Sequence, residues 1–277
     1  MFSESFVLFQ QEGYLTRSSL LTGFNALRKA NIDETRKGLF YSAFFELSIG
    51  LERLLKLILV IDHMSKNDLR PMTDKELKRK YGHKIKSLYK SCLMLNEEYG
   101  REAEFFFKEG DFEWNIIHFF HEFALSARYY NLSKLTDDQS SSDPLSEWWS
   151  LISIVISSDV SKRKMDRIQK ESLAFCDNFA GNSFTVMRGL DGNLMTTLDC
   201  IMLPRLVDAS APYMVWNVYQ ILKPFYFLIS DVVSAAHVVE RENGIDLPHV
   251  PYMYEFFSFL LLERSDVIKK RKWDEQI

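Results

Sequence analysis

The sequence predicts an all-α protein, a compact bundle of about eight to ten helices. Eleven glycines and seven prolines occur among the 277 residues, about half the share that an average protein contains. Since β-rich folds need frequent turns, this scarcity favours long helices. Apolar residues recur at helical spacing along most of the chain, and 47% of all residues are hydrophobic. The chain can therefore bury a substantial core between its helices.

Three helical patterns stand out in the first half of the chain. Leu39–Met64 is apolar almost all round, which predicts a helix that is buried on most sides. Thr73 and Glu76 have the spacing of a capping box, so we expect a helix to begin there. Phe112–Leu132 is the next long helical pattern, with Asp111 in the position of an N-cap.

A polar loop at residues 136–144 predicts the boundary between two helical halves. We place these halves at residues 1–135 and 145–277, with one continuous domain as the alternative. Pro144 stands at the first position of the helix that follows.

The second half of the chain also follows helical periods. Residues 145–172 are predicted to form one long helix whose second half meets solvent. The remaining helices are expected at residues 194–209, 212–241 and 251–272, with a bend at Pro224 in the middle one.

Charge and cysteine usage indicate a soluble, cytoplasmic protein. The 34 basic and 38 acidic residues give a net charge of -4, so no overall field attracts nucleic acid or an anionic membrane. Three scattered cysteines fit a reducing compartment. The most apolar stretches, Leu47–Ile61 and Phe225–Val239, are interrupted by charged residues, which predicts core helices and no membrane partner.

His118, His121 and Glu122 are the residues that come nearest to a metal-binding pattern. Their order, H-x-x-H-E, matches neither H-E-x-x-H nor H-x-x-E-H. Ordinary helix residues are therefore the favoured interpretation, and we predict no metal and no cofactor. Phosphate-binding loops, dinucleotide fingerprints and nucleophile elbows are also absent from the sequence.

The densest group of basic residues lies between residues 75 and 90. A nucleic acid needs such charges on one face, whereas a solvated helix face has the same appearance in a sequence and is the commoner explanation. If this group binds RNA, its contact residues are Lys78, Arg79, Lys80, His83 and Lys84.

Three segments, in order, resemble the HEPN family of helical domains. They are Ala43–Lys56 (AFFELSIGLERLLK), Tyr81–Leu88 (YGHKIKSL) and Phe123–Asn131 (FALSARYYN), and the resemblance covers residues 16–135. It implies a compact, often dimeric helical bundle. It further implies an RNA-related or bacterial phage-defence role, with metal-independent endoribonuclease activity in many members.

The resemblance also implies a site, with one departure from the family pattern. Arg128 stands where the family's arginine would, yet no histidine follows it by four to six residues. If the chain cuts RNA, Arg128 would steady the phosphate and His121 or His118 would carry the proton. Tyr130 and Asn131 would then position the RNA backbone. The alternative is a non-catalytic helical module for dimerisation or interaction.

Overall fold

The computed structural model describes residues 2–136, 142–180 and 183–274. Of these residues, 74% are helical and none belongs to a β-strand, which confirms the all-α prediction. The part of the chain described contains ten α-helices and three 3₁₀ segments. The predicted boundary loop falls mostly on residues 137–141, which lie outside the described residues.

The helices are numbered in chain order. They are α1 (Glu4–Lys29), α2 (Gly38–Lys66), α3 (Asp74–Lys80), α4 (Ile85–Glu98), α5 (Phe112–Leu125), α6 (Tyr130–Leu135), α7 (Pro144–Asp159), α8 (Lys162–Phe179), α9 (Thr197–Glu242) and α10 (Arg264–Lys269). The 3₁₀ segments are Ala103–Phe105, Ala127–Tyr129 and Met253–Leu261.

Helices α1 and α2 pack closely in opposite directions, and two glycines permit this approach. A Cβ atom on Gly23 would lie 2.6 Å from Cγ of Leu47, and one on Gly50 would lie 2.7 Å from Cγ of Leu20. Both distances are shorter than real carbon contacts allow. Larger residues at these two positions would push the helices apart.

Helix α9 crosses the middle of the bundle and contacts α1, α2, α5, α7, α8 and α10. Phe225, Leu228, Ile229 and Val232 on this helix are completely buried. The main hydrophobic core includes residues of α1, α2 and α5 as well as those of α9. By length and apolarity α9 could also cross a membrane, but half of its most apolar window is buried inside the protein, as in a core helix.

Local capping signals account for several helix starts. Thr73 and Glu76 form the predicted capping box at α3, with both reciprocal bonds present. Asp143 caps α7 by accepting a hydrogen bond from the amide of Leu145 at 2.9 Å, with Pro144 at the first helical position. Asp111 occupies the N-cap position of α5 without capping it, because its carboxylate accepts instead from the amide of Lys108.

Three predictions about the second half of the chain were wrong, and the first two concern α7, α8 and α9. The single helix at 145–172 is divided into α7 and α8, because Val160 is extended and buries its side chain against Ile168 and Ala209. Conversely, the break expected near residue 211 is absent, and α9 continues through Pro212. Packing against six other helices of the described residues outweighs the hydrogen bond that this proline cannot donate.

The last predicted helix, at residues 251–272, is also interrupted. It consists of the 3₁₀ segment Met253–Leu261 followed by the short helix α10. Tyr219 of α9 donates its hydroxyl to the carbonyls of Phe259 and Leu262, at 3.0 and 3.1 Å, where the two pieces meet. These bonds satisfy carbonyls that a continuous helix would have paired internally.

Candidate functional site

A pocket of about 220 Å³ opens between α2, the end of α5 and the turn before α4. We call it the α2–α5 pocket. Its lining residues are Phe45, Ser48, Ile49, Glu52, Arg53, His83, Phe123, Ala124 and Arg128. All of them belong to the three segments 43–56, 81–88 and 123–131, which are distant in the sequence. Folding therefore brings these segments together around one cavity.

Arg128 enters this pocket from the 3₁₀ turn that follows α5. Its Nε atom is buried and has no hydrogen-bond partner among the described residues. Its guanidinium carbon lies 5.4 Å from the centre of the Tyr129 ring. A buried donor without a partner costs about 1–3 kcal/mol.

Glu52 and His83 form a polar pair on the pocket wall. The Nδ1 atom of His83 lies 3.0 and 3.2 Å from the two carboxylate oxygens of Glu52. The Glu52 side chain is only 14% exposed and also accepts a hydrogen bond from Nζ of Lys56 at 2.7 Å. Because the carboxylate fixes Nδ1, the Nε2 edge of the ring is turned away from it.

Arg53 links the pocket to α1. Its Nη1 atom donates to Glu12 of α1 at 2.6 Å, and both side chains are partly exposed. The pocket therefore contains two arginines, a histidine and one well-paired carboxylate. This arrangement favours an anionic ligand over a cationic one.

The predicted proton carriers, His118 and His121, lie on α5 outside the pocket lining. His118 is exposed, with Nδ1 3.6 Å from Oε1 of Glu122. The Nδ1 atom of His121 is buried and has no partner among the described residues. Burial lowers the pKa of His121; Glu122 opposes this shift, and Lys86 and Lys84 add to it. His121 thus lies beside the basic start of α4.

Tyr130 and Asn131, the predicted positioning residues, lie on α6 and also outside the pocket lining. The Nδ2 atom of Asn131 donates to the hydroxyl of Tyr41 at 3.2 Å. Lys134 places its Nζ atom 6.0 Å from the centre of the Tyr130 ring. The bond from Asn131 to Tyr41 attaches α6 to helix α2.

The predicted nucleic-acid residues divide into two groups. Lys78, Arg79 and Lys80 are exposed on the seven-residue helix α3, away from the pocket lining. His83 and Lys84 belong to the turn that leads into α4, and His83 lines the pocket. The structure thus places one of the five residues in the pocket itself.

Further basic residues extend the positive surface along α4. The Nζ atoms of Lys86 and Lys90 lie 5.9 and 5.4 Å from the ring centre of Trp114 on α5. Together with Lys84 they form a surface that we call the α4–α5 basic face. It begins beside His83 and therefore adjoins the pocket.

Sequence reasoning missed Glu52, Arg53 and Lys56 as site residues. A signal was present, because the segment Leu-Glu-Arg-Leu-Leu-Lys is part of the pattern on which the resemblance rests. On an otherwise apolar helix these residues look like a narrow solvated stripe. Glu52, however, is largely buried and bonds to His83, so it orients this histidine on the pocket wall.

A metal centre requires several ligating side chains close together. Across residues 2–136, 142–180 and 183–274, no three His, Cys, Asp or Glu side chains are grouped so that they could hold a metal ion. No family model, curated protein or solved structure matches this chain, so its function has to be inferred from the residues of the pocket and its surroundings.

Proposed function

We propose that this chain is a HEPN-like cytoplasmic protein that binds RNA, with one backbone phosphate held in the α2–α5 pocket. The observation that supports this proposal is the origin of the pocket lining. Every lining residue comes from the three segments that resemble HEPN domains, and these segments contribute Arg53, His83 and Arg128 to one cavity. A bacterial defence or RNA-related system is the setting that this resemblance implies.

The chemistry around the pocket supports RNA as the ligand. Arg128 lines the pocket, and the N–H groups of a guanidinium suit phosphate oxygens. The α4–α5 basic face continues the positive charge outside the pocket, where neighbouring phosphates would lie. Since the net charge of the chain is -4, binding depends on this local surface.

Metal-independent cleavage of RNA is the more specific form of the proposal. The Glu52–His83 pair next to Arg128 supports it. His83 would take the proton from a ribose 2′-hydroxyl, whose oxygen attacks the adjacent phosphorus. A 2′,3′-cyclic phosphate forms, and the displaced 5′-oxygen takes up a proton from water and leaves as a hydroxyl. Arg128 would stabilise the charge that develops on the phosphate. His83 lines the pocket, whereas His118 and His121 do not, and is therefore the better proton acceptor.

A homodimer is part of the same proposal. Val7, Leu8, Tyr14 and Leu15 form an apolar stripe on the outer face of α1, each at least 43% exposed. This stripe lies near the pocket, because Glu12 of α1 bonds to Arg53. A second copy that covers the stripe would bring two pockets close together. The same stripe favours the alternative function, a non-catalytic module that dimerises or binds a protein partner.

Binding of a labelled single-stranded RNA tests the proposal. We suggest fluorescence anisotropy with an oligo(U) of about 12 nucleotides, within the usual range of single-strand site sizes. Arg128→Ala should weaken binding at least about tenfold, because it removes a charge-assisted contact. Arg241→Ala is the matched control, since Arg241 is exposed at the end of α9. Equal affinities of both variants would refute the pocket as the RNA site, and no binding at low salt would favour the interaction module.

A further inference from the structure

Basic and aromatic side chains follow one another along one flank of α8. Lys164, Arg167, Glu171, Phe175 and Phe179 are three or four residues apart, so they lie on the same side of this helix. Residues 162–170 carry five basic side chains and one acidic side chain. The first half of the flank is therefore positive and the second half aromatic.

The flank itself contains one acidic residue, Glu171, and two arginines neutralise its charge. Glu171 lies 3.9 Å from Nε of Arg167 and 3.4 Å from Nη1 of Arg205 on α9. Arg205 is exposed and adds its charge to the same flank. Lys164, Arg167 and Arg205 thus leave a net positive surface after Glu171 is counted.

Three phenylalanines face solvent at the other end of the flank. Phe175 is 45% exposed and Phe179 is 78% exposed, and their ring centres are 5.2 Å apart. Phe184 is 88% exposed. Its backbone lies near the end of α8, because the amide of the preceding residue, Ser183, donates to the carbonyl of Ala180 at 3.0 Å. Rings so exposed contribute little to the core.

The packing of α8 on α9 explains why these rings stay uncovered. Ile168 packs against Ala209, and Glu171 meets Arg205, so α8 runs antiparallel to α9. The end of α8 therefore lies beside the start of α9, and α8 packs mainly on α9, so its other sides stay uncovered. Thr197, the first residue of α9, donates its hydroxyl to the carbonyl of Ser183 and anchors Phe184 at the same end.

We propose that this flank of α8 is a stacking track for single-stranded RNA, separate from the α2–α5 pocket. Bases would stack on the rings of Phe175, Phe179 and Phe184, and Lys164, Arg167 and Arg205 would contact the phosphates. Proteins that bind single strands combine these two kinds of contact. The inference rests on the proposed RNA function and adds the substrate class, because only an unpaired strand offers its base faces.

The dimensions and charge of the flank support this ligand. From Lys164 to Phe179 the helix spans about 22 Å at 1.5 Å per residue, enough for several nucleotides. A partner protein docked only through apolar contacts would use the rings but would gain nothing from the adjacent lysine and arginines. A single-stranded nucleic acid would use both the rings, through its bases, and the basic side chains, through its phosphates.

The test compares alanine with leucine at the exposed rings, again with labelled oligo(U). Phe179→Ala and Phe184→Ala should each weaken binding at least about fivefold, since a base stacked on an aromatic ring contributes substantially. Phe179→Leu should weaken binding nearly as much, because leucine stays apolar but has no aromatic face. Double-stranded RNA of the same length should bind less tightly than the single strand and should not respond to these changes.

Two results would overturn the stacking track while leaving the pocket in place. The first is unchanged RNA affinity in both alanine variants; if sedimentation then shows that these variants have lost self-association, the rings belong to a dimer contact. The second is full RNA affinity in Phe179→Leu, which would show that an apolar side chain is enough. Failure of the unmodified protein to bind RNA would overturn the track and the proposed function together. Because Phe179 and Phe184 are exposed, the variants should keep their thermal stability, which circular dichroism verifies.

Discussion

The Nδ1 atom of His83 lies 3.0 Å from a carboxylate oxygen of Glu52, although 31 positions of sequence separate the two residues. Glu52 is held in the wall of the pocket, whereas the His83 ring is 63% exposed. The pairing fixes the orientation of this exposed histidine. It also places that histidine on the same cavity as Arg128.

The first prediction concerns this pair and RNA cleavage. His83→Ala should reduce cleavage of a labelled RNA at least about a hundredfold, the lower range for losing a general base. Glu52→Gln should reduce it less, because the ring loses its orientation but keeps its nitrogen. His121→Asn should retain activity, since His121 lies outside the pocket lining. Single-turnover rates measure all three, and a larger loss in His121→Asn than in His83→Ala would reverse the assignment.

The second prediction concerns the closest contact between α1 and α2. Gly50→Ala should destabilise the protein by about 1–3 kcal/mol, the usual cost of forcing extra atoms into a packed core. The new Cβ would lie 2.7 Å from Leu20 Cγ and 3.2 Å from the Leu20 amide nitrogen. Gly38→Ala is the control, since nothing lies within 4 Å of its Cβ position. Urea unfolding of both variants checks this. Equal midpoints would contradict the prediction, because they would show that α1 and α2 can move apart at little cost in stability.

How far the sequence predicts the fold depends on whether a signal is local. The α3 capping box and the buried α2 helix are local, because Thr73 and Glu76 are neighbours and the apolar period of α2 is continuous. The division between α7 and α8 is not local, since it depends on Val160 burying its side chain against α9. Helix α9 likewise continues through Pro212 because its neighbours surround it.

The candidate site shows the same limit. Arg128 and His83 can be selected from short sequence patterns, but their presence in one pocket follows only from the packing of α2, α4 and α5. His118 and His121 look attractive in the sequence because they share a helix with a carboxylate. The structure instead leaves both outside the pocket lining, with His118 exposed and His121 partly buried next to the lysines of α4.

The third prediction concerns the pH dependence of stability. Burial lowers the pKa of His121 in the folded protein below its ordinary value of 6.5. The unfolded chain then binds more protons, so stability should fall as the pH drops through about 6.5 and below. His121→Asn should lose less stability than the unmodified protein between about pH 7.5 and 5.5. Denaturation midpoints at the two pH values measure this, with the exposed His118→Asn as control; an identical pH effect in His121→Asn would contradict it.

The fourth prediction concerns helix α3. Lys78, Arg79 and Lys80 are exposed on this short helix, which precedes the turn that contains His83. Replacing all three by alanine should reduce the slope of log affinity against log salt by roughly two, since each phosphate contact on a single strand contributes about 0.7. Thermal stability should change little, because exposed charges contribute little to folding. An unchanged slope would show that α3 does not contact the RNA phosphates and that the RNA binds other surfaces of the protein.

A crystal structure of the protein with a short RNA tests the central claim most directly. Using an RNA that carries 2′-deoxy groups removes the attacking hydroxyl and so prevents cleavage. We expect a phosphate oxygen within hydrogen-bond distance of the Arg128 guanidinium, with the Nε2 edge of His83 turned towards the neighbouring ribose. RNA bound elsewhere on the protein, with Arg128 and His83 free of any contact with it, would contradict the account.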